Sequence, residues 1–254
     1  MNTNIEKEVI LYTKQDGVAI ITLNRPKSYN ALSKALFAGI IKCMKQAAAD
    51  DAVKVIVLTG NGKAFCAGVD LKEVSNSPDG LGDDTEILKV FNHRKKPLLG
   101  AINGFCMTGG LEMALACDLL YASENAVFAD THTKVGLMPT WGMSQRLPRL
   151  IGNGRAKEMS LSGRKIDAQT ALAWGLVNRV FPPDQLLVET LKLANEITHN
   201  NQTSVMGMKG LIDKGTNLPL EEALAYEHKI SHKHNDALDL SGMMKKLNEV
   251  RGKK

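Results

Sequence analysis

The amino-acid sequence predicts an α/β fold built from repeated ββα units and closed by a helical tail. Three observations carry that prediction. Short apolar runs at residues 54–59 (KVIVLT) and 98–102 (LLGAI) are too hydrophobic for a sheet with one wet face. Segments with apolar positions at helical spacing separate these runs. Residues 184–251 are nearly all helical by period, with breaks at Asn200-Asn201, Gly215 and Asp236. Strands that alternate with helices and then give way to helices imply an α/β core, here residues 1–183, with a helical region at 184–254.

Taken in order, residues 8–14 and 17–24 flank Gln15-Asp16-Gly17 and read as a β-hairpin. Arg25-Pro26 ends its second strand, and Ser28-Tyr29-Asn30 offers caps for a helix over 31–49. That helix carries Leu32, Leu36, Phe37, Ile40, Cys43, Met44 and Ala47 on its apolar face. After the strand at 54–59, Gly60-Asn61-Gly62-Lys63 lacks the spacing of a phosphate loop and the Ser or Thr that follows its lysine. Residues 74–84 (VSNSPDGLGDD) have a loop composition, and a helix over 85–95 follows. Further on, helices are expected at 155–161 and 167–174, the second capped by Asp167 and ended by Gly175, and a last strand at 176–181.

The stretch from 97 to 147 concentrates the chemistry. The strand at 98–102 ends at Asn103-Gly104, Gly109-Gly110 follows, and LEMALAC then reads as a helix. A strand, glycine turn and helix in that order can present backbone N–H donors to an anionic or developing oxyanion centre. Glu112 lies in the first turn of that helix. By local pattern alone, a solvated glutamate beside an ordinary Gly-Gly turn is an equal reading.

Composition excludes several classes. The net charge of +5 is spread along the chain, and with only 5% aromatics no basic patch interleaved with aromatics appears, so nucleic-acid binding is disfavoured. The same excess suits an anionic, phosphate-bearing small molecule. The four cysteines have no CxxC spacing, so they form neither a disulfide framework nor a metal set and fit a reducing compartment. No HExxH motif occurs, and His228 and His232 read as surface residues, so no metal is expected. No run approaches the ~18–20 apolar residues that span a bilayer, and no secretory signal is visible, which makes the cytoplasm the expected location.

Several segments together resemble the crotonase (enoyl-CoA hydratase/isomerase) superfamily: ITLNRPKSYNAL (21–32), VIVLTGNGKAFCAGVDLKE (55–73), KKPLLGAINGFCMTGGLEMALACDLLYASENAVFA (95–129), VGLMPTWGMSQRLPRLIG (135–152) and SGRKIDAQTALAWGLVNRVFP (162–182). The resemblance implies a spiral of ββα turns whose C-terminal helices pack into trimers, often paired as hexamers. It implies an acyl-CoA thioester as ligand, with coenzyme A as part of the substrate and no other cofactor. The thioester oxygen would lie between the amides of Val69 and Gly109. Ala67, Gly68 and Asp70 would line the bound coenzyme A together with Gly110, and Arg25 and Lys27 would meet its phosphates.

Hydratases of this family use two glutamates on one water. Glu112 matches the first. At the second, the chain reads Asp130-Thr131-His132 where the family reads x-Pro-Glu. Three readings follow. His132 takes the second role in an enoyl-CoA hydratase of fatty-acid oxidation, with Asp130 or Glu112 orienting it. Alternatively, Glu112 acts alone in another crotonase reaction, such as isomerisation, decarboxylation or thioester hydrolysis. In the third, the chain binds acyl-CoA without turnover. Family isomerases more typically keep the missing glutamate, which counts against simple isomerisation. On the first reading, a glutamate at 132 would restore the family pair.

Overall fold

The computed structural model describes residues 8–76 and 85–238. The strands β1 (Ile10–Gln15) and β2 (Val18–Leu23) pair antiparallel across a two-residue turn. Asp16 and Gly17 both take positive φ there, 49° and 79°, as the twist of a tight hairpin requires. Helix α1 (Lys34–Ala49) starts later than Ser28-Tyr29-Asn30. Its N-cap is Ser33, whose hydroxyl accepts from the Leu36 amide at 3.1 Å, an interaction worth about 1 kcal/mol. Pro26–Ser28 instead form one turn of 3₁₀ helix, and Asn30 is buried. The Asn30 side-chain amide donates to the carbonyls of Asn61 at 3.0 Å and Ala64 at 2.7 Å, tying this turn to the next unit.

That unit comprises β3 (Val55–Gly60), β4 (Ala64–Cys66), a short α2 (Leu71–Val74) and α3 (Thr85–Asn92). The third has β5 (Leu98–Ile102), β6 (Phe105–Met107) and α4 (Gly109–Leu115). The fourth opens with β7 (Leu119–Ser123) and β8 (Val127–Ala129), passes a 3₁₀ turn at His132–Val135, and continues as α5 (Met143–Ile151) and α6 (Asn153–Ser162). Then come β9 (Ile166–Asp167), α7 (Ala168–Trp174), β10 (Arg179–Phe181) and α8 (Leu186–Thr198). The ββα repetition is thus real, and each of these units places one strand in each of two sheets. The first sheet runs β1-β2-β3-β5-β7-β10, parallel after the hairpin; the second runs β4-β6-β8-β9.

Both faces of the first sheet are covered, which explains its continuous apolar runs. Ile56, Leu58, Leu98 and Ile102 face the larger core with Leu36, Ile40 and Met44 of α1. Val55, Val57, Leu99 and Ala101 face a second core with Leu186 and Ala194 of α8. Each such Val, Leu, Ile or Met side chain fully buried contributes roughly 1.5–3 kcal/mol. The chain divides into compact units between Gln202 and Thr203, and α8, in the first of them, covers that second face. The following unit holds α9 (Gln202–Gly215) and α10 (Leu220–Asn235), whose ends match the breaks read from the sequence. Residues 77–84 of the expected loop, and the tail beyond 238, lie outside the described residues.

Other differences have local causes. The strand expected at 176–181 forms only at its end, because the Leu176 amide returns to the Ala171 carbonyl around Gly175, at φ 79°. β4, β6 and β8 are three residues each, too short to show a period. Helix α5 contains Pro148, which hides it from a helical reading. Among the described residues no helix is long and apolar enough to cross a membrane.

At one position the packing of α4 tolerates only glycine. A Cβ on Gly110 would stand 2.3 Å from the Cys66 carbonyl oxygen and 2.8 Å from the Cys66 Cβ, so α4 lies directly on the end of β4. Gly110→Ala is therefore expected to destabilise the protein by about 1–3 kcal/mol, as overpacking does. A calorimetric melt should show the drop, and an unchanged Tm would refute this packing.

Candidate active site

The first turn of α4 starts from a strained residue. Thr108 precedes Gly109 at φ 50° and ψ −113°, a conformation that costs a non-glycine residue about 1–3 kcal/mol. It is held there from outside: its amide donates to the Ala129 carbonyl at 2.9 Å, and its hydroxyl accepts from the Thr131 amide at 3.2 Å. The Thr108 and Thr131 hydroxyls also bond to each other at 2.5 Å. These contacts join the turn that opens α4 to the segment after β8, and so bring Glu112 and His132 to one place.

Glu112 is buried, 3% exposed, which excludes the solvated alternative. Its carboxylate does not cap its own helix. Oε1 accepts from the backbone amides of Trp141 at 2.8 Å and Met143 at 3.1 Å, at the start of α5. Oε2 lies 3.7 Å from Nε2 of His132, too far for a direct hydrogen bond. A single water oxygen can stand within hydrogen-bond reach of both atoms, at the apex of the triangle. On its other side the His132 ring is anchored: Nδ1 lies 2.7 Å from Asp130 Oδ1, which also accepts from the His132 backbone amide at 3.2 Å. Asp130 and His132 are themselves buried.

Burial pushes the Glu112 carboxyl above its ordinary value, against the hydrogen bonds from Met143 and Trp141 and the nearby His132. For His132, burial disfavours the imidazolium, but the hydrogen bond and charge of Asp130, helped by Glu112, outweigh it and raise the pKa. For Asp130, burial acts upward and is overcome by hydrogen bonds from His132 and Ser160, leaving its pKa lowered. Asp130 and Glu112 thus flank the His132 ring, and their charges act to stabilise its protonated form. A buried carboxylate facing an imidazole ring at 3.7 Å can take a proton from one atom while the ring delivers one to another.

The turn at 67–70 lies against the start of α4. Gly68 has φ 93°, and a Cβ on it would stand 3.3 Å from the Met107 carbonyl oxygen and 3.7 Å from the Gly109 nitrogen. The segment is pinned by Ala67 N–H to the Tyr29 carbonyl, Asp70 N–H to the Leu32 carbonyl and Leu32 N–H to the Gly68 carbonyl, at 2.8–3.0 Å. Among the described residues, neither the Val69 amide nor the Gly109 amide donates to a protein acceptor. Beside Glu112, a half-open pocket is lined by Ile87, Leu88 and Phe91 of α3, by Met113 and Ala116, and by Trp141. Its lining is mainly apolar, with Glu112 and Asn92 among its polar residues.

The structure thus gathers Val69, Gly109, Glu112 and His132 around one region. Ala67 is exposed beside it and Lys27 is exposed on the preceding turn. Arg25 is engaged locally: both its terminal nitrogens lie 3.1 Å from Asp70 Oδ2, and it donates to the Ala31 carbonyl. Asp70 also caps α2. Gly110 faces inward onto Cys66. Sequence reasoning missed the two backbone donors at Trp141 and Met143, which no side-chain pattern announces, and the anchoring role of Thr108. Asp130 carried a signal, since an aspartate two residues before an amide commonly accepts from it. Among the described residues, no group of three or more His, Cys, Asp or Glu is placed to hold a metal ion.

Comparison with known proteins identifies the family. The family model described as enoyl-CoA hydratase/isomerase matches residues 13–252. The chain is 38% identical to a probable peroxisomal enoyl-CoA hydratase of Arabidopsis thaliana, over 96% of this chain and 92% of that one. The crystal structure of an enoyl-CoA hydratase from Bacillus anthracis superposes with a TM-score of 0.87 at 33% identity, covering 95% of this chain and 96% of that one. An enoyl-CoA hydratase from Mycobacterium smegmatis reaches 44% identity with a TM-score of 0.72, covering 91% and 97%. With the ββα spiral, the two unpartnered amides and the buried Glu112 already in place, the chain belongs to the enoyl-CoA hydratase/isomerase family, within the crotonase superfamily.

Proposed function

We propose that the chain is an enoyl-CoA hydratase, a lyase that adds water in syn fashion across the double bond of a 2-enoyl-CoA in fatty-acid oxidation. The observation that carries this reading is the Glu112 carboxylate held by two amides and facing Nε2 of His132 at 3.7 Å. Relatives named as enoyl-CoA hydratases over most of their length support it. Glu112 takes a proton from water as the oxygen attacks C3. The double-bond electrons move toward the thioester, and the amides of Val69 and Gly109 stabilise the resulting oxyanion by several kcal/mol. His132, as imidazolium, gives its Nε2 proton to C2, and Glu112 then passes the proton it took from water to the neutral His132, which restores both groups. The acyl chain occupies the cavity against α3.

Ala67, Gly68 and Asp70 line the coenzyme A, and Gly110 fixes the helix start beneath the thioester. Arg25 holds the 67–70 turn through Asp70, and exposed Lys27 faces the phosphates. Coenzyme A arrives as part of the substrate and no further cofactor is required. Three buried titratable groups in contact are costly to a fold and of no use to a passive carrier, which favours an enzyme over a binder. The free cysteines suit a reducing, cytoplasmic setting.

The assembly is a homotrimer or a pair of trimers. Met208 and Ile212 on α9, and Leu220 and Leu224 on α10, are each 57–75% exposed at i, i+4 spacing, apolar stripes that further copies of the chain would cover. Light scattering at micromolar concentration should give a multiple of the 27.6 kDa chain; a monomer alone would refute the assembly.

Loss of the enoyl-thioester absorbance of crotonyl-CoA measures the reaction directly. Glu112→Gln should lower turnover by at least about 10²-fold with coenzyme A binding largely kept, as for a lost acid–base group. His132→Ala should cost less but measurably. Full activity in Glu112→Gln would overturn the assignment.

The pH profile of kcat/KM should be bell-shaped. Activity rises as Glu112 ionises through a pKa raised above the ordinary carboxyl value. It falls as His132 loses its proton, on the alkaline side of the unperturbed value of about 6.5. Both limbs report the pair rather than either residue alone. A profile with no alkaline limb would remove His132 from the proton path.

A further inference from the structure

We infer that Asp130 and His132 form a single unit, in which Asp130 is the positioning residue that directs an Nε2–H of His132 toward Glu112. The unit stands in for the one protonated carboxylic acid of a two-carboxylate site. This deepens the hydratase reading and rests on it.

The geometry fixes the first half. Asp130 Oδ1 lies 2.7 Å from Nδ1 of His132 and accepts from the His132 amide at 3.2 Å, so one oxygen orients both ring and backbone. A carboxylate can only accept, so Nδ1 carries a proton in either charge state, and Nε2 is the atom that gains or loses one. Nε2 faces Glu112 Oε2. The titratable groups facing His132 are Asp130 and Glu112; α6 contributes the Ser160 hydroxyl, which donates to Asp130.

Charge balance supplies the second half. Two nearby carboxylates that share one proton carry a total charge of −1. Here Glu112 (−1), imidazolium His132 (+1) and Asp130 (−1) also sum to −1. A glutamate alone at 132 would therefore not restore the family pair, as the sequence by itself implied. It would set a third carboxyl group beside Asp130 and Glu112, all of them buried, and like charges so placed cannot all ionise. Only the double exchange, Asp130→Asn with His132→Glu, returns the charge to that of a two-glutamate site.

The test uses the full-length chain, with coenzyme A affinity and a thermal melt to show that each variant is folded. Asp130→Asn keeps an acceptor for Nδ1–H but loses the charge, so the alkaline limb of kcat/KM should move to lower pH by about one unit, with KM little changed. His132→Glu should lose at least about tenfold in kcat, and Asp130→Asn added to it should recover at least about tenfold, a coupling that independent sites do not show. An unmoved pH profile in Asp130→Asn would overturn the proposal, as would wild-type activity in single His132→Glu. Nitrogen-15 NMR of the histidine ring gives a readout without turnover. In the wild type His132 should titrate above about 6.5, and lower in Asp130→Asn; equal titration in both sinks the unit. If no enoyl-CoA is hydrated while the NMR difference stands, the hydratase reading fails and the pair survives.

Discussion

Burial of the Glu112 carboxylate is the constraint on which the rest of the site depends. A charged oxygen taken out of water is costly unless other donors replace its hydration. Here the replacement comes from the amides of Trp141 and Met143, which belong to a different unit of the chain. Helix α4 and the start of α5 must therefore be held in register to within a hydrogen bond. The apolar packing of α4 on β4, close enough to exclude a Cβ at Gly110, supplies that rigidity.

The two-sheet spiral explains how residues far apart in sequence converge. The three units β3/β4, β5/β6 and β7/β8 each send a longer strand into the first sheet and a short one into the second, and the chain leaves the short strands β4, β6 and β8 side by side. The segments that follow these three strands carry Val69, Gly109 and His132 respectively. Parallel pairing places those strand ends at the same edge. The site is thus assembled from equivalent positions of successive units, and Thr108 locks two of them together through Thr131 and Ala129.

Within that frame the Asp130–His132 pair is a local change with a confined reach. Both residues sit in one turn, and their mutual hydrogen bond is formed within three residues of chain. The Val69 and Gly109 amides are backbone groups and Glu112 is held by backbone groups, so a different second side chain leaves them in place. Electrostatics then sets the condition: whatever stands at 132 must share the buried charge of Glu112.

Much of this was legible in the sequence because it depends on local chemistry. The hairpin at Asp16-Gly17, the helices, the breaks of the tail and the buried apolar strands follow from φ preferences, caps and hydrophobic period. Glu112 and His132 were legible as positions in a family pattern, and so were the amides of Val69 and Gly109. The three-residue strands were not, since so short a run has no period, nor was α5, where Pro148 breaks the pattern. The place of α8 was also hidden: its period says helix, but only the bare second face of the sheet says that it belongs to the core. Above all, the sequence could name Glu112, Asp130 and His132 without saying whether they met water or each other. Burial and the 2.7 Å contact decided that, because protonation depends on distance and desolvation, which exist only once the chain is folded.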